Sequence, residues 1–561
     1  MAAQLLAATT KLTYSYCHTP CQRRFCGKTI GQVFDMTSDR YPEREAITYY
    51  PKNGDVKRIN FRELRHQVDG FARGLIKLGL QKGERLGIVL GRRYEYIVAY
   101  LGAVRAGLVV VRHFPFLKAG QLGQQINKVG CSAVVIDNDA VVSILELVPE
   151  VEKASVPCCL QPLPSVRCFI NIDSMEERGA CLSLSGIIGS ADVKGGTELQ
   201  SLEKEIQPDD PAVIFFTSGS TGTWKAVVHS HHALVESFLS LSEIHAHLNE
   251  ENTGCHLCVV NMYSVVPEAL LAPMLTIGDR LVLTESVDVQ TVLYTLQKER
   301  CTSTVLSPSH VFEISNLTEK RHFSSLKLVL IGGNIVPKPV FDKIKKVLTP
   351  NIQNTFGMTE ALLVTSHVPT DPVDGRVQTV GRPFPHAEIK VVDDNFKIVP
   401  VNTEGEICIR GPNVFIHYHD DEEKTSAAKT PTGWFKTGDV GVMLDDGRIR
   451  HLGRKDDCIK KNAFKIYPIE IERHLVGHSK VQLCQAVAIP DEKFVNEVCL
   501  CVVLRPGVVC TEEEIMGILK EKLDKFQIPK HILFFDSLPT TQTGKIARKK
   551  VAEMAAEKLE I

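Results

Sequence analysis

Residues 212–226 read Ala-Val-Ile-Phe-Phe-Thr-Ser-Gly-Ser-Thr-Gly-Thr-Trp-Lys-Ala, and this stretch decides the fold. Ala212 to Phe216 form a short, continuous apolar run, the pattern of a strand buried on both faces. It empties into five small hydroxyl residues and two glycines between Thr217 and Thr223, followed by Lys225. Backbone N–H groups and hydroxyls in such a loop can wrap a polyphosphate, and a lysine can neutralise it. Thr217, Ser218, Gly219, Ser220, Thr221, Gly222 and Lys225 are therefore candidate phosphate ligands. The loop is not a Walker A motif, which needs Gly-Lys-Ser/Thr opening a helix; here Trp224 precedes the lysine and Ala226 follows it. A Ser/Gly-rich surface turn is the competing reading of the loop taken alone.

Upstream, Phe61 to Leu78 has helical periodicity and closes on Gly79, Arg85 to Leu90 reads as a strand, Tyr94 to Ala106 as a helix, and Leu108 to Val111 as another strand. Strands alternating with helices of this length predict a parallel sheet covered by helices on both faces. The rhythm resumes with Leu281-Val282-Leu283 and with Leu326 to Ile331, turned by Gly332-Gly333. From 378 to 452 the strands shorten and the turns crowd, as in a small β-barrel. After Arg454, a helix over 469–477, strands near 484–489 and 498–504, a helix over 512–525 and a basic tail predict a separate α+β lid. The expected fold class is α/β. A large N-terminal domain over 28–455 holds parallel α/β sheets and a small β-barrel, and a smaller, mobile C-terminal lid spans 456–561.

A chain of 561 residues exceeds one core, in keeping with two or more domains. A net charge of −1 leaves no basic footprint for nucleic acid. No apolar run is long enough for a transmembrane segment. The seventeen cysteines are irregularly spaced and read as reduced thiols of an intracellular compartment. Cys255-x-x-Cys258 has no second pair at zinc-finger spacing and reads as chance placement. The first 34 residues lack Asp and Glu but carry Lys11, Arg23, Arg24 and Lys28. Residues 1–27 thus suit a mitochondrial presequence, with the matrix as destination, or the disordered tail of a cytoplasmic protein.

Three further segments fit nucleotide chemistry. In Asn354-Thr355-Phe356-Gly357-Met358-Thr359-Glu360, Phe356 and Gly357 offer a flat face and room for a base. Thr359 can donate to a phosphate and Glu360 can hold Mg²⁺; the competing reading is a strand-to-helix turn with Thr359 as N-cap. In Gly433 to Asp439, an Asp after a tight turn can accept both hydroxyls of a ribose. Arg454 is a second sugar or phosphate contact or a plain surface cation, and Asp445-Asp446-Gly447 reads as a hairpin turn. In Leu538 to Arg548, Lys545 follows Gly544 on a C-terminal loop, a position that alone would be a solvated lysine.

Together, in this order and spacing, the four segments resemble the adenylate-forming superfamily of acyl- and aryl-CoA synthetases, firefly-type luciferases and peptide-synthetase adenylation domains. The resemblance covers roughly residues 28–555. Within it, Gly27-Lys28-Thr29-Ile30-Gly31, the wording of 83–91 and Val129-Gly130-Cys131 most resemble the mitochondrial medium-chain acyl-CoA ligase subfamily. The resemblance implies an ATP-dependent ligase. It would join a small carboxylic acid of short to medium chain, through acyl-AMP, to coenzyme A, releasing AMP and pyrophosphate. It assigns Thr217 to Lys225 to the β- and γ-phosphates, Gly333-Asn334 and Phe356-Gly357 to the adenine, and Thr359 to the α-phosphate. Glu360 goes to Mg²⁺, Asp439 and Arg454 to the ribose, and Lys545 to the carboxylate and α-phosphate. Asp456 falls at the hinge about which the lid would rotate, exchanging Lys545 for the loop 459–466.

Several positions depart from the family pattern. Trp224-Lys225-Ala226 stands for Pro-Lys-Gly, and Ala226 fits only where φ is negative. Ser264 stands where an aromatic-His pair has its histidine, Thr355 where many relatives have Gly or Ala, and Asn462-Ala463 where the lid loop carries two glycines. These departures keep two alternatives open: an adenylate-forming enzyme with an acceptor other than CoA, and a nucleotide- or acyl-binding protein that has lost turnover.

Overall fold

The structure, a computed structural model, describes residues 11–190, 195–218, 224–246, 253–315, 317, 323–332, 338–349, 351–368, 371–462, 464–491, 495–540 and 546–560. Two large sheets form the N-terminal body. The first has eight strands in the order His417–Tyr418, Trp224–Ser230, Pro211–Ser218, Val109–Arg112, Arg85–Val89, Cys131–Ile136, Cys168–Asn171, Cys181–Ser183. The second has seven: Ile352–Asn354, Leu328–Ile331, Ser303–Leu306, Cys255–Cys258, Arg280–Thr284, Glu45–Tyr50, Lys57–Asn60. From Pro211–Ser218 onward the first sheet is parallel, and the second is parallel except for its Lys57–Asn60 edge.

The expected α/β rhythm is present, with helices Phe61–Lys77 and Glu95–Arg105 and strands Arg85–Val89 and Val109–Arg112. Helix Phe61–Lys77 starts at a capping box in which Asn60 and Glu63 each satisfy the other's backbone N–H. Helix Glu95–Arg105 is buried all round, as its nearly uniform apolar sequence requires. One apolar core joins the sheets. Leu86, Ile88 and Val110 of the first and Ile47, Leu281 and Leu283 of the second belong to it, with Phe71, Tyr100, Phe238 and Leu271 from helices.

A third, antiparallel sheet runs Tyr16–His18, Glu388–Val392, Glu404–Arg410, Phe435–Met443, Ile449–Arg454. Segment 380–385 links its outer strands: Val380 N–H donates to Ile449 O, Ile449 N–H to Gly381 O, and Thr19 Oγ1 to Pro383 O. This is the small barrel expected from 378–452, completed by a strand from the N-terminus. The tail expected over 1–27 needs correction for residues 11–27. Tyr16 to His18 pair with Lys390 to Glu388, and the Arg23 guanidinium meets Glu236 at 2.6 Å and Glu243 at 2.7 Å. Cys26 N–H also donates to Glu236. Residues 1–10 lie outside the described residues.

The C-terminal lid is a sheet of Val481–Asp491, Val495–Leu504 and His531–Phe534 with helices Pro468–Glu472, Glu512–Lys520 and Arg548–Lys558. Two helices are shorter than the sequence predicts. The first gives way to turns that end on Gly477 at φ +82°, and the second stops at Lys520. The lid rests on the body through Tyr467, which packs with Val440, Val442 and Leu452, and through Arg505, whose guanidinium lies 4.0 Å from the Phe312 ring.

Candidate active site

The arms of the candidate phosphate loop pair as a hairpin. Trp224 lies opposite Ser218 and Lys225 opposite Thr217, so Thr217, Ser218 and Lys225 flank the turn. Gly219, Ser220, Thr221 and Gly222 lie outside the described residues, as do Gly333 and Asn334. Strand alternation sorts the unusual residues. Trp224 and Ala226 point into the core, and Lys225, half-buried between them, points to the other face. Trp224 closes an aromatic cluster in which Phe114 lies 5.3 Å from it and 4.6 Å from Tyr263. The bulk that replaces proline is thus stored on the face opposite Lys225. Ala226 sits in a strand and is not among the residues of positive φ, so alanine replaces glycine without strain.

Lys225 is one corner of a three-residue cluster. Its Nζ lies 5.2 Å from the Tyr418 ring, and Tyr418 Oη donates to Glu360 Oε1 at 2.9 Å. Burial and then the Glu360 carboxylate push the Tyr418 phenol up, so it stays a protonated donor. Strand His417–Tyr418 pairs with Val227 and Val228, which fixes the Tyr418 side chain beside the phosphate hairpin.

Residues 357–363 correct the N-cap reading of Thr359: Gly357–Met358 pairs with Leu362–Leu363, and no helix follows. A Cβ on Gly357 would meet Leu362 O at 2.5 Å, so the glycine is required by the hairpin itself. His229 Nε2 donates to Thr359 O at 2.7 Å, anchoring the turn to the phosphate strand. Burial pushes the His229 imidazole down to about 4, which keeps it neutral. The Thr359 hydroxyl has no partner among the described residues. Phe356 is buried, its ring 5.4 Å from His451, and Thr355 donates to Thr365 O at 2.6 Å.

Asp439 follows Gly438, whose φ of +70° makes the tight turn expected there. Its Oδ1 accepts from His451 Nε2 at 3.0 Å and lies 3.3 Å from Arg454 Nε, while Arg454 Nη1 donates to Thr437 O at 2.8 Å. Oδ2 has no protein partner among the described residues. Asp445-Asp446-Gly447 is a hairpin turn, with Gly447 at φ +83°.

Asp456 is exposed in the short 3₁₀ turn Lys455–Asp457 that joins barrel to lid. Lys545 and Ala463 lie outside the described residues. The flanks of Lys545 are held: Thr540 bridges Ile546, and Arg548 Nη1 donates to Glu472 Oε1 at 2.8 Å and to Ala486 O at 2.5 Å. Asn462 takes φ +53°, a left-handed conformation that asparagine tolerates better than most residues. The structure therefore gathers Thr217, Lys225, Thr359 and Glu360 around one hairpin, and Asp439 with Arg454 on the adjoining barrel. Sequence reasoning missed Tyr418, His229 and His451, each a single residue brought in by strand register.

No group of three or more His, Cys, Asp or Glu side chains suited to a metal occurs among the described residues. Glu360, with Oε1 engaged by Tyr418, keeps a second carboxylate oxygen for a cation completed by phosphate oxygens and water, the manner in which Mg²⁺ is commonly held.

Comparison with known proteins agrees with this arrangement. The AMP-binding enzyme family profile matches residues 34–419, and the AMP-binding enzyme C-terminal domain matches 470–545. The medium-chain acyl-CoA ligase ACSF2, mitochondrial, of Homo sapiens is 31% identical over 98% of this chain and 91% of its own length. The Danio rerio protein of that name is also 31% identical, over 98% and 92%. The anthranilate CoA ligase AuaEII in complex with anthranoyl-AMP shares the fold, with a TM-score of 0.81, 21% identity and coverage of 95% and 98%. The amide bond synthetase McbA of Marinactinospora thermotolerans does so at 0.78, with 23% identity and coverage of 94% and 99%. The chain belongs to the AMP-binding enzymes of the adenylate-forming superfamily and is an AMP-forming acyl-CoA ligase.

Proposed function

We propose that the chain activates a short- to medium-chain fatty acid with Mg·ATP and transfers the acyl group to coenzyme A, in the mitochondrial matrix. The observation that carries the site assignment is the Lys225–Tyr418–Glu360 cluster, which sets a cation beside a hydrogen-bonded carboxylate at the mouth of the phosphate hairpin. The fatty-acid class and the compartment rest on the names of the ACSF2 relatives.

In the first half-reaction the substrate carboxylate attacks the α-phosphorus of ATP and pyrophosphate leaves. Lys225 and residues 217–222 hold the β- and γ-phosphates, Gly333, Asn334, Phe356 and Gly357 frame the adenine, and the Thr359 hydroxyl donates to the α-phosphate. Mg²⁺, when bound, neutralises charge on the phosphate oxygens; Glu360 holds it and Tyr418 orients Glu360. Asp439 accepts the ribose hydroxyls through Oδ2, its Oδ1 pinned by His451 and Arg454. Lys545 bridges the carboxylate and the α-phosphate as negative charge develops. Rotation about Asp456, at the boundary between the 28–455 and 456–561 domains, then brings the hairpin 459–466 to the site for attack by the CoA thiol.

Asn462 and Ala463 support a second reading, an acceptor other than CoA. They stand where the family's lid loop carries two glycines, and a methyl group at the second, Ala463, would narrow the path of the pantetheine arm; Asn462 holds the left-handed conformation, φ +53°, that suits a glycine. Lys545→Ala tests the division of labour. It is expected to abolish carboxylate-dependent ATP–pyrophosphate exchange while sparing thioester formation from supplied acyl-AMP. Equal loss of both half-reactions contradicts the assigned role.

A further inference from the structure

At the N-terminal edge of the second sheet, opposite the strand ends that carry the candidate site, two thiols meet. Cys255 opens strand Cys255–Cys258, and Cys301 lies two residues before strand Ser303–Leu306. Their sulfurs are 3.8 Å apart. The strands are parallel neighbours with His256 opposite Ser303, and Thr302 N–H donates to Cys255 O at 2.7 Å. The register places Cys255 opposite Thr302, so Cys301 is its diagonal neighbour, and the two sulfurs in van der Waals contact need to close from 3.8 Å to the roughly 2.05 Å of a disulfide bond.

Strand alternation aims Cys255 at its partner. His256, the next residue, faces the other side of the sheet, where it meets Asp279 at 2.8 Å and Ser303 at 2.7 Å. Cys258, three residues on, belongs to that opposite core with Met262, so the Cys-x-x-Cys spacing does not make a chelate. Arg280, directly across from Cys255, donates from Nη2 to Cys255 Sγ at 3.2 Å and is fixed by Glu299 O at 2.9 Å. The Cys301 thiol's hydrogen bond and Arg280 hold Cys255 below the usual thiol range although burial opposes them, while the same pairing pushes Cys301 up. Both cysteines are buried, and the Arg280 guanidinium beside the Cys255 sulfur stabilises its thiolate, which makes Cys255 the attacking sulfur.

We propose that Cys255 and Cys301 form a reversible internal disulfide, with Cys255 as the attacking and Cys301 as the resolving thiol and a hydroperoxide as oxidant. The Cys255 thiolate attacks one peroxide oxygen and the O–O bond breaks. For hydrogen peroxide this gives a sulfenic acid and hydroxide, which takes up a proton to become water. Cys301 then attacks the Cys255 sulfur, the S–O bond breaks and a second water leaves. In all, two thiols and one hydrogen peroxide give one disulfide and two waters.

The test is hydrogen peroxide titration of the folded full-length protein, followed by alkylation and peptide mapping, with exposed Cys159 as the internal standard. The expected product is a Cys255–Cys301 cross-linked peptide pair, lighter by two hydrogens, formed while circular dichroism stays native and reversed by dithiothreitol. In Cys301→Ser, Cys255 should stop at the sulfenic acid and be captured by dimedone. Should that variant not fold, the wild-type map decides alone. Cys255 and Cys301 both still alkylatable once Cys159 is oxidised, or Cys255 joined to a different cysteine, would overturn the proposal.

Discussion

Tyr418 donates its phenolic proton to Glu360 at 2.9 Å while its ring faces Lys225, although the three residues come from three separate segments of the chain. A hydrogen bond to a charged group contributes about 1.5–3 kcal/mol, roughly a ten- to hundredfold effect where the carboxylate must be oriented. Tyr418→Phe removes only the hydroxyl. The expected result is roughly a tenfold or greater fall in the rate of pyrophosphate release and a higher Mg²⁺ concentration for half-saturation, with little change in Tm. An unchanged Mg²⁺ titration would separate Tyr418 from the assigned cation site.

His451 and Arg454 both reach the same oxygen of Asp439. His451→Ala frees that carboxylate to rotate, so the KM for ATP should rise about tenfold while kcat changes little, the pattern of a lost ground-state contact. Steady-state kinetics with varied ATP read it. A fall in kcat alone would place His451 in the chemical step.

Burial holds His113, His229 and His231 neutral, each pushed down to about 4. Unfolded histidine titrates near about 6.5. Between these values the unfolded chain binds protons that the folded chain refuses, so stability is full above about 6.5 and falls as pH drops toward 4. The slope approaches about 1.4 kcal/mol per pH unit for each such histidine. Burial also holds the Glu268 carboxyl above its usual range, which offsets part of the loss at the acid end. Urea midpoints should therefore be level from pH 8 to 7 and decline between 6.5 and 5. A level profile down to pH 5 would show that these histidines protonate in the folded protein.

Glu236 has a side chain only 2% exposed, and Arg23 is its ion-pair partner at 2.6 Å. Arg23→Ala leaves a buried carboxylate with the Cys26 N–H as its remaining donor among the described residues and should cost about 3 kcal/mol. Deleting residues 1–27 removes Arg23 together with the strand Tyr16–His18 and should lower Tm further, whereas deleting 1–10 removes none of these contacts. Equal thermal melts for the two deletions would contradict the structural role given to residues 11–27.

Local pattern made much of this legible. The apolar run 212–216 and the helix–strand alternation of 61–111 are short-range signals, and both elements appear where expected. Gly438 before Asp439 announced its turn because a positive φ favours glycine. Register was not legible. Tyr418, His229 and His451 act through partners 58, 130 and 12 residues away, and no periodicity encodes such pairings. The competing N-cap reading of Thr359 fails because Thr-Glu after a glycine resembles a helix start, whereas backbone pairing of Gly357–Met358 with Leu362–Leu363 closes a hairpin. The order of residues 11–27 was not legible because their one strand is three residues long and is paired by a segment more than 350 residues downstream.

The central claim is an acyl-CoA ligase acting through an acyl adenylate. Its most direct test is a carboxylate panel from acetate to palmitate, with aryl acids, Mg·ATP and CoA, following pyrophosphate and acyl-CoA in the same samples. The account predicts equal yields of both products with short- to medium-chain fatty acids. Pyrophosphate without thioester, or neither product while ATP still binds, would contradict it.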